Sequence, residues 1–315
     1  MKFNQQNGNG ERNQLIISRI PCAKYGGSNR NKKRWILVGL TVISILFLLP
    51  LLITVTNSFM SEQEVAINYT TKLSRFDILD GISEKFVTMN LIPKEFTFLQ
   101  YRAVLIDQPS FLILLMNSMK LTAPVVVFNL VISLLTAYGF TIWQWKHKEI
   151  IFFIYIVVMM MPLQAVLVPN YIIAEKLGIT NNYLAIILPG IFAPFGTFLL
   201  RQNMKALPAA YFEAAKIDGA GELYIFIHIV LPQMKSGIAA LTMLTFIEYW
   251  NLVEQVIIFI KDYFREPLSV FLSRLVDGKI GLIFAVSCVY MFIPFLFLVF
   301  GQKDLEKGIE LSGVK

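Results

Sequence analysis

Apolar residues along this chain gather into long unbroken runs, not into the alternating or one-sided patterns that line a soluble core. A helix needs about 20 mostly apolar residues to cross a bilayer. Six stretches meet or approach that length: residues 35–56, 119–142, 150–171, 182–200, 236–260 and 281–301. The pattern predicts an all-α polytopic membrane protein with six transmembrane helices. Its organisation reads as a basic N-terminal tail over 1–34, a six-helix membrane domain over 35–301 and a short C-terminal tail over 302–315. The first apolar run is longer than the hydrophobic part of a secretion signal and lacks a small-residue cleavage site, so it reads as an uncleaved span.

One connector is far longer than a turn between spans requires. Some 35 residues separate Leu200 from Ser236, and acids, alanines and glycines break the apolar pattern there. Pro208 suits a helix start, and the residues that follow predict a short helix to Ile217. Asp218-Gly219-Ala220-Gly221 is a turn signal in which a glycine takes positive φ. A second amphipathic segment, ELYIFIHIV, then runs to Pro232. Tyr211, Ala214, Ala215 and Asp218 fall at i, i+3, i+4 and i+7, which predicts a helix face small enough in its middle to enter a cleft on a partner.

Charge sets the orientation. The first 34 residues hold eight Lys/Arg against the single acid Glu11, which places both termini of a six-span chain in the cytoplasm. Segments 57–118, 172–181 and 261–280 then face outward, and 143–149, 201–235 and the tail after Gly301 face inward, with 17 Lys/Arg inside against 11 outside. The connector 201–235 is therefore cytoplasmic. The first outer loop, with apolar clusters FDIL and FVTMNLIP, is long enough to fold over the mouth of a pathway or to contact an external protein. Within that loop Asn68-Tyr69-Thr70 matches a glycosylation sequon, a tripeptide common by chance.

Composition supports a membrane protein: 56% of residues are hydrophobic and 16% charged, against about 25% charged in soluble chains. The formal charge of +7 is accounted for by basic residues flanking spans, so nucleic acid is not an expected partner. Cys22 and Cys288 form neither a disulfide framework nor a metal cluster, and His147 and His228 are far apart, so no metal, cofactor or catalytic residue is expected. No GxxxxGK[ST] loop occurs; the nearest fragment, Asp277-Gly278-Lys279, lacks the first glycine.

The fifth span carries the polar residues of most interest. Glu248, Asn251 and Gln255 lie at i, i+3 and i+7, with Glu254 beside them and Glu248 near the middle of the span. Ionisable groups at that depth are costly enough to be functional candidates. With Tyr249 and Trp250 they offer acceptors and ring faces suited to sugars; a structural ion pair with a partner subunit is the equal alternative.

The connector also carries a family resemblance: Glu213-Ala214-Ala215, three residues, Gly219, nine residues, Ile229, one residue, Leu231 and Pro232. This resembles the EAA loop of ABC importer permeases. The resemblance implies that the loop is a coupling helix docking into a groove on a cytoplasmic ATPase. Glu213 would be a polar anchor, Ala214 and Ala215 the close-contact face, Asp218 and Gly219 the turn, and Leu231 and Pro232 the rigid link to the fifth span. It further implies a second permease subunit, an ATPase dimer and an extracellular binding protein that delivers a sugar-like solute, in the lipid of a bacterial plasma membrane.

Asn117-Ser118, Ala137-Tyr138-Gly139-Phe140, Pro162, Pro169, Phe195, Leu199, Leu200, Arg201, Trp250-Asn251 and the ending from Gly308 to Lys315 resemble the carbohydrate branch, the maltose-type permeases. Val256 stands where that branch often has proline, and Glu248 and Glu254 are unusual charges there. Two alternatives stay open: an ion-coupled secondary transporter with Glu248 and Glu254 as proton sites, which leaves the helix-turn-helix unexplained, and an ABC importer permease for a peptide, polyamine or phosphate.

Overall fold

A computed structural model describes residues 29–69, 72–73, 85–86, 90, 92–107, 109–274 and 280–313. Cys22, most of the basic tail, the FDIL cluster, half of FVTMNLIP, Thr70 of the sequon, Asp277-Gly278-Lys279 and the last two residues lie outside them. The chain divides into two units, residues 1–51 and 52–315. The described residues are helical apart from turns and one two-residue ladder pairing Lys72 with Phe86 and Leu73 with Lys85.

The helices are α1 (Asn29–Asn57), α2 (Glu62–Tyr69), α3 (Leu99–Arg102), α4 (Pro109–Ile142), α5 (Lys148–Met159), α6 (Leu163–Lys176) and α7 (Leu184–Ile191). After them come α8 (Pro194–Lys205), α9 (Ala209–Ile217), α10 (Glu222–Gln233, with a π-helical turn at Phe226–Val230), α11 (Lys235–Trp250), α12 (Glu254–Phe259), α13 (Leu268–Arg274) and α14 (Ile280–Gly313).

Four stretches are long and apolar enough to cross a membrane: Lys32–Asn57, Ser110–Ile142, Leu184–Lys205 and Ile280–Gly308. The count reaches six if the bent pairs α5–α6 and α10–α11 each make one span. The third apolar run, 150–171, folds as two helices meeting at 96°. The cause is local: Pro162 has extended backbone (φ −64°, ψ 140°), and proline supplies no N–H to continue the ladder. The fifth span is corrected, because α11 stops at Trp250 and the chain resumes as α12 only at Glu254. Asn251 leaves the helix and its side-chain amide donates to the Ile247 carbonyl at 2.9 Å.

Breaks inside a bilayer expose carbonyls that water cannot satisfy, and neighbouring helices fill them. Between α7 and α8 the Asn129 amide of α4, 2% exposed, lies 3.1, 3.1 and 3.4 Å from the carbonyls of Gly190, Ile191 and Ala193. After α11 the Tyr290 hydroxyl of α14 lies 2.7 Å from the Trp250 carbonyl and 2.9 Å from Asn251 Oδ1. Small residues permit the close approaches: a Cβ at Gly196 would collide with Ser133, and one at Gly308 would sit 2.5 Å from the Ser236 carbonyl oxygen.

Three apolar clusters run along unit 2. One, around Val104, Phe111, Leu268 and Val286, lies at the end that carries the connectors 57–107 and 260–268. The second gathers around Leu121, Ile186, Tyr249 and Phe259. The third lies at the opposite end, under the connector between α8 and α11.

The end predicted to face outward is clasped by polar groups. Asn181, at φ 59°, accepts from the backbone N–H groups of Lys261 and Asp262, and Asn117 donates to the carbonyls of Phe264 and Glu266. Tyr183 donates to the Arg265 carbonyl at 2.7 Å; burial pushes its phenol up to about 12, so it remains a neutral donor. At the opposite end Trp143 and Trp145 are exposed just after α4, beside Lys146 and Lys148, as befits a membrane–water boundary.

Candidate functional site

The connector from α8 to α11 folds into a V, two helical arms joined by a sharp turn. Its first arm, α9, begins after Pro208, whose backbone is extended (φ −62°, ψ 128°). It ends in a Schellman motif: Ala220 N–H donates to the Ala215 carbonyl at 2.9 Å and Gly219 N–H to the Lys216 carbonyl at 3.1 Å. Gly219 occupies the left-handed position at φ +75° that this motif requires. Gly221 then returns to extended backbone and starts α10, and a 75° bend after Gln233 leads into α11.

The two faces of the V differ. Ala215, Ile225, Phe226 and Val230 are buried, and with Phe212 they pack on Leu134, Tyr138, Leu200, Met204 and Leu241 at the ends of α4, α8 and α11. The opposite face is bare and largely apolar: Tyr211 is 51% exposed, Ile217 85%, Leu223 70% and Tyr224 55%. Glu213, Ala214, Asp218 and Gly219 lie on exposed positions, whereas Leu231 is half-buried and Pro232 exposed. One expectation is corrected. Ala215 does not share the outer face with Tyr211, Ala214 and Asp218; it is 8% exposed, because packing of Phe212 and Phe226 turns that flank of α9 onto the membrane helices. Glu213 also borders a cavity of about 310 Å³ that Lys205, Lys216, Gln144 and Phe212 help to line.

Residues that no spacing rule marked hold the V in place. Glu222 forms an ion pair with Lys216 across the turn (3.0 Å) and accepts a hydrogen bond from the Tyr138 hydroxyl of α4 (2.7 Å). The Phe226 ring meets Tyr138 edge-on at 5.0 Å. The only sequence signal was the Ala137-Tyr138-Gly139-Phe140 segment. Lys216 and Glu222, six apart, meet only because the turn reverses the chain.

At the base of the V, Arg201 is 1% exposed; its guanidinium pairs with Glu149 at 2.5 Å and stacks over the Phe152 ring at 3.7 Å. The two ends of this pair are unequal, because the Glu149 side chain is 65% exposed. Glu149→Gln leaves a buried cation without its counter-charge, a destabilising change. Arg201→Met returns a carboxylate to water and fills the space with apolar atoms. Thermal unfolding in detergent is expected to rank Glu149→Gln below Arg201→Met; the reverse order would contradict the asymmetry.

The pathway candidates do not form one stripe. Glu248 is exposed on α11, and among the described residues it makes no ion pair. Tyr249 is 8% exposed, with its phenol against Gly190, and Trp250 is fully buried between Phe246 and Tyr290. Asn251 and Glu254 are exposed and Gln255 is half-buried, but the break at 251–253 puts Glu254 and Gln255 on a separate helix. A seven-residue spacing aligns side chains only within one continuous helix.

Residues 129–305, which include the whole connector and both broken spans, match the family described as the binding-protein-dependent transport system inner membrane component. Among curated proteins, the arabinooligosaccharides transport system permease protein AraQ of Halalkalibacterium halodurans is 30% identical over 202 residues, 63% of this chain and 72% of AraQ. The polygalacturonan/rhamnogalacturonan transport system permease protein YtcP of Bacillus subtilis is 26% identical over 294 residues, 88% of this chain and 95% of YtcP. Among solved structures, a chain of a bacterial ABC transporter involved in the import of the acidic polysaccharide alginate has the same fold. It superposes with a TM-score of 0.67 at 20% identity, covering 87% of this chain and 96% of that one. The helical spans, the V-shaped connector and the match over more than half of the chain agree: this protein belongs to the inner membrane components of binding-protein-dependent transport systems.

Proposed function

We propose that this chain is the permease subunit of an ABC importer for a carbohydrate, coupled through α9 and α10 to ATP hydrolysis by a separate cytoplasmic ATPase. One observation carries the reading. The V buries one face on three membrane helices and leaves Tyr211, Ile217, Leu223 and Tyr224 bare, a surface shaped for a partner at the end predicted to be cytoplasmic. The relatives, transport system permeases for arabinooligosaccharides and for polygalacturonan/rhamnogalacturonan, support a carbohydrate solute. The chain itself is then non-catalytic. A second permease subunit supplies the other half of the pathway, and an external binding protein delivers the solute.

ATP-driven closure of the ATPase dimer moves the groove that holds the V, and the V moves the helices beneath it as one body. In this reading Glu248, Asn251 and Glu254, exposed beside Tyr249 and Trp250, face the pathway or the second permease, since carboxylates at membrane depth avoid lipid.

Glu213 tests the docking surface. A hydrogen bond to a charged group is worth about 1.5–3 kcal/mol, so Glu213→Ala is expected to weaken ATPase association roughly ten-fold or more. Membrane insertion is unaffected, because the spans are untouched. Co-purification of the ATPase with wild type and variant, followed by solute-stimulated hydrolysis with the binding protein present, measures this. Equal retention and equal stimulation would overturn the docking role; a wild-type chain that retains no ATPase would overturn the importer reading itself.

A further inference from the structure

We propose that Glu222 and Tyr138 are positioning residues that carry motion of the V into α4 by a link separate from the chain connections at its two ends. The covalent routes out of the V lead to α8 and, through Pro232, to α11. No backbone connects it to α4. Yet one carboxylate joins all three elements: Glu222 of α10 holds Lys216 of α9 at 3.0 Å through Oε1, and its Oε2 accepts from the Tyr138 hydroxyl of α4 at 2.7 Å. The Glu222 carbonyl lies 3.3 Å from the same hydroxyl. Tyr138 is 6% exposed and stacks edge-on with Phe226, which fixes the direction in which its hydroxyl points.

What α4 touches elsewhere gives the link its consequence. It is one helix from Pro109 to Ile142. Two turns and more above Tyr138 it carries Asn129, whose amide fills the break between α7 and α8. Near its far end it carries Asn117, which holds the backbone of Phe264 and Glu266 in the outer segment. The 21 residues from Asn117 to Tyr138 span about 32 Å at 1.5 Å per residue. A displacement of the V therefore reaches a membrane-buried helix break and the opposite face through one continuous element. Under this inference the Ala137-Tyr138-Gly139-Phe140 segment has a mechanical use that membrane insertion alone does not require.

The inference rests on the reading of the V as the ATPase-docking element, and the experiment separates the two. The assembled complex is prepared with wild-type chain, Tyr138→Phe, Glu222→Leu, Glu222→Gln and the Tyr138→Phe/Glu222→Leu double variant. Two quantities are measured: ATPase retained, and the ratio of solute-stimulated to basal hydrolysis. Tyr138→Phe keeps the ring against Phe226, so retention is expected to be unchanged. A hydrogen bond to a charged group corresponds to roughly ten-fold or more in an equilibrium, and the stimulation ratio is expected to fall about three- to ten-fold. Glu222→Leu, which also breaks the Lys216 pair, should lose at least as much as Tyr138→Phe, and the double variant should be no worse than Glu222→Leu alone. Glu222→Gln keeps an acceptor for Tyr138 and should recover part of the loss.

An unchanged ratio in Tyr138→Phe, or fully additive losses in the double variant, would overturn the link while leaving the docking role intact. Loss of ATPase retention in step with the ratio would show a merely structural role. A wild-type complex that retains no ATPase would remove the docking reading on which the link depends.

Discussion

Gly219→Val is expected to abolish most solute-stimulated ATP hydrolysis, whereas Gly219→Asn retains most of it and Gly219→Ala falls between. The order follows from the backbone, not from crowding. Gly219 sits at φ +75°, and a Cβ there would meet no atom within 4 Å. Any loss therefore measures the cost of the left-handed conformation, about 1–2 kcal/mol for an ordinary L-residue, higher for a β-branched one and lowest for asparagine. Valine is expected to move the chain out of the Schellman motif and swing α10 relative to α9, so that Lys216 and Glu222 no longer meet. Retention of ATPase and stimulated hydrolysis, measured side by side for the three variants, checks this. Equal activity of Gly219→Val and Gly219→Asn would show that the turn geometry is irrelevant to coupling.

Asn129→Leu is expected to cause the largest loss of stability of any single change in the membrane helices. Leucine branches similarly but is larger and has no donor, so the carbonyls of Ile191 and Ala193 lose the amide, while Gly190 keeps the Ala193 N–H at 3.2 Å. A buried carbonyl left without a partner costs about 1–3 kcal/mol, so losing the amide at two of them costs roughly 2–6 kcal/mol. Water cannot substitute at that depth. The thermal midpoint in detergent and the amount of folded protein recovered from membranes should both fall well below wild type; an unchanged midpoint would show that the break needs no plug. Thr242→Val makes a suitable control, because the hydroxyl it removes bonds only to the Ile238 carbonyl within its own helix.

Much of this architecture was legible in the linear pattern. Runs of about 20 apolar residues mark helices because a bilayer offers the backbone no other hydrogen-bond partner. The V was legible for a different reason: a helix start after Pro208 and a turn at Asp218–Gly221 are local events, set by proline's missing N–H and glycine's freedom at positive φ. The structure has α9 from Ala209 to Ile217 and the left-handed residue at Gly219.

What depends on partners distant in the chain was not legible. Pro162 stood in plain view, but a proline marks where a helix can break without giving the 96° angle between the two helices. The run from 236 to 260 is apolar enough for one helix, yet it is broken where the Tyr290 hydroxyl of α14 donates to the Trp250 carbonyl and the Ser269 hydroxyl to the Leu252 carbonyl. That break separates Glu248 from Gln255, which the seven-residue spacing had aligned. Ala215 was placed on the docking face by helical periodicity, but periodicity defines faces without saying which one the rest of the protein covers; Phe212 and Phe226 decided that. The clasp of Lys216, Glu222 and Tyr138 joins residues up to 84 positions apart. Apolar length and local turn chemistry determined which segments span and where the connector folds; contacts between distant side chains decided where the helices break, which face is bare and which residues tie the V to the membrane helices.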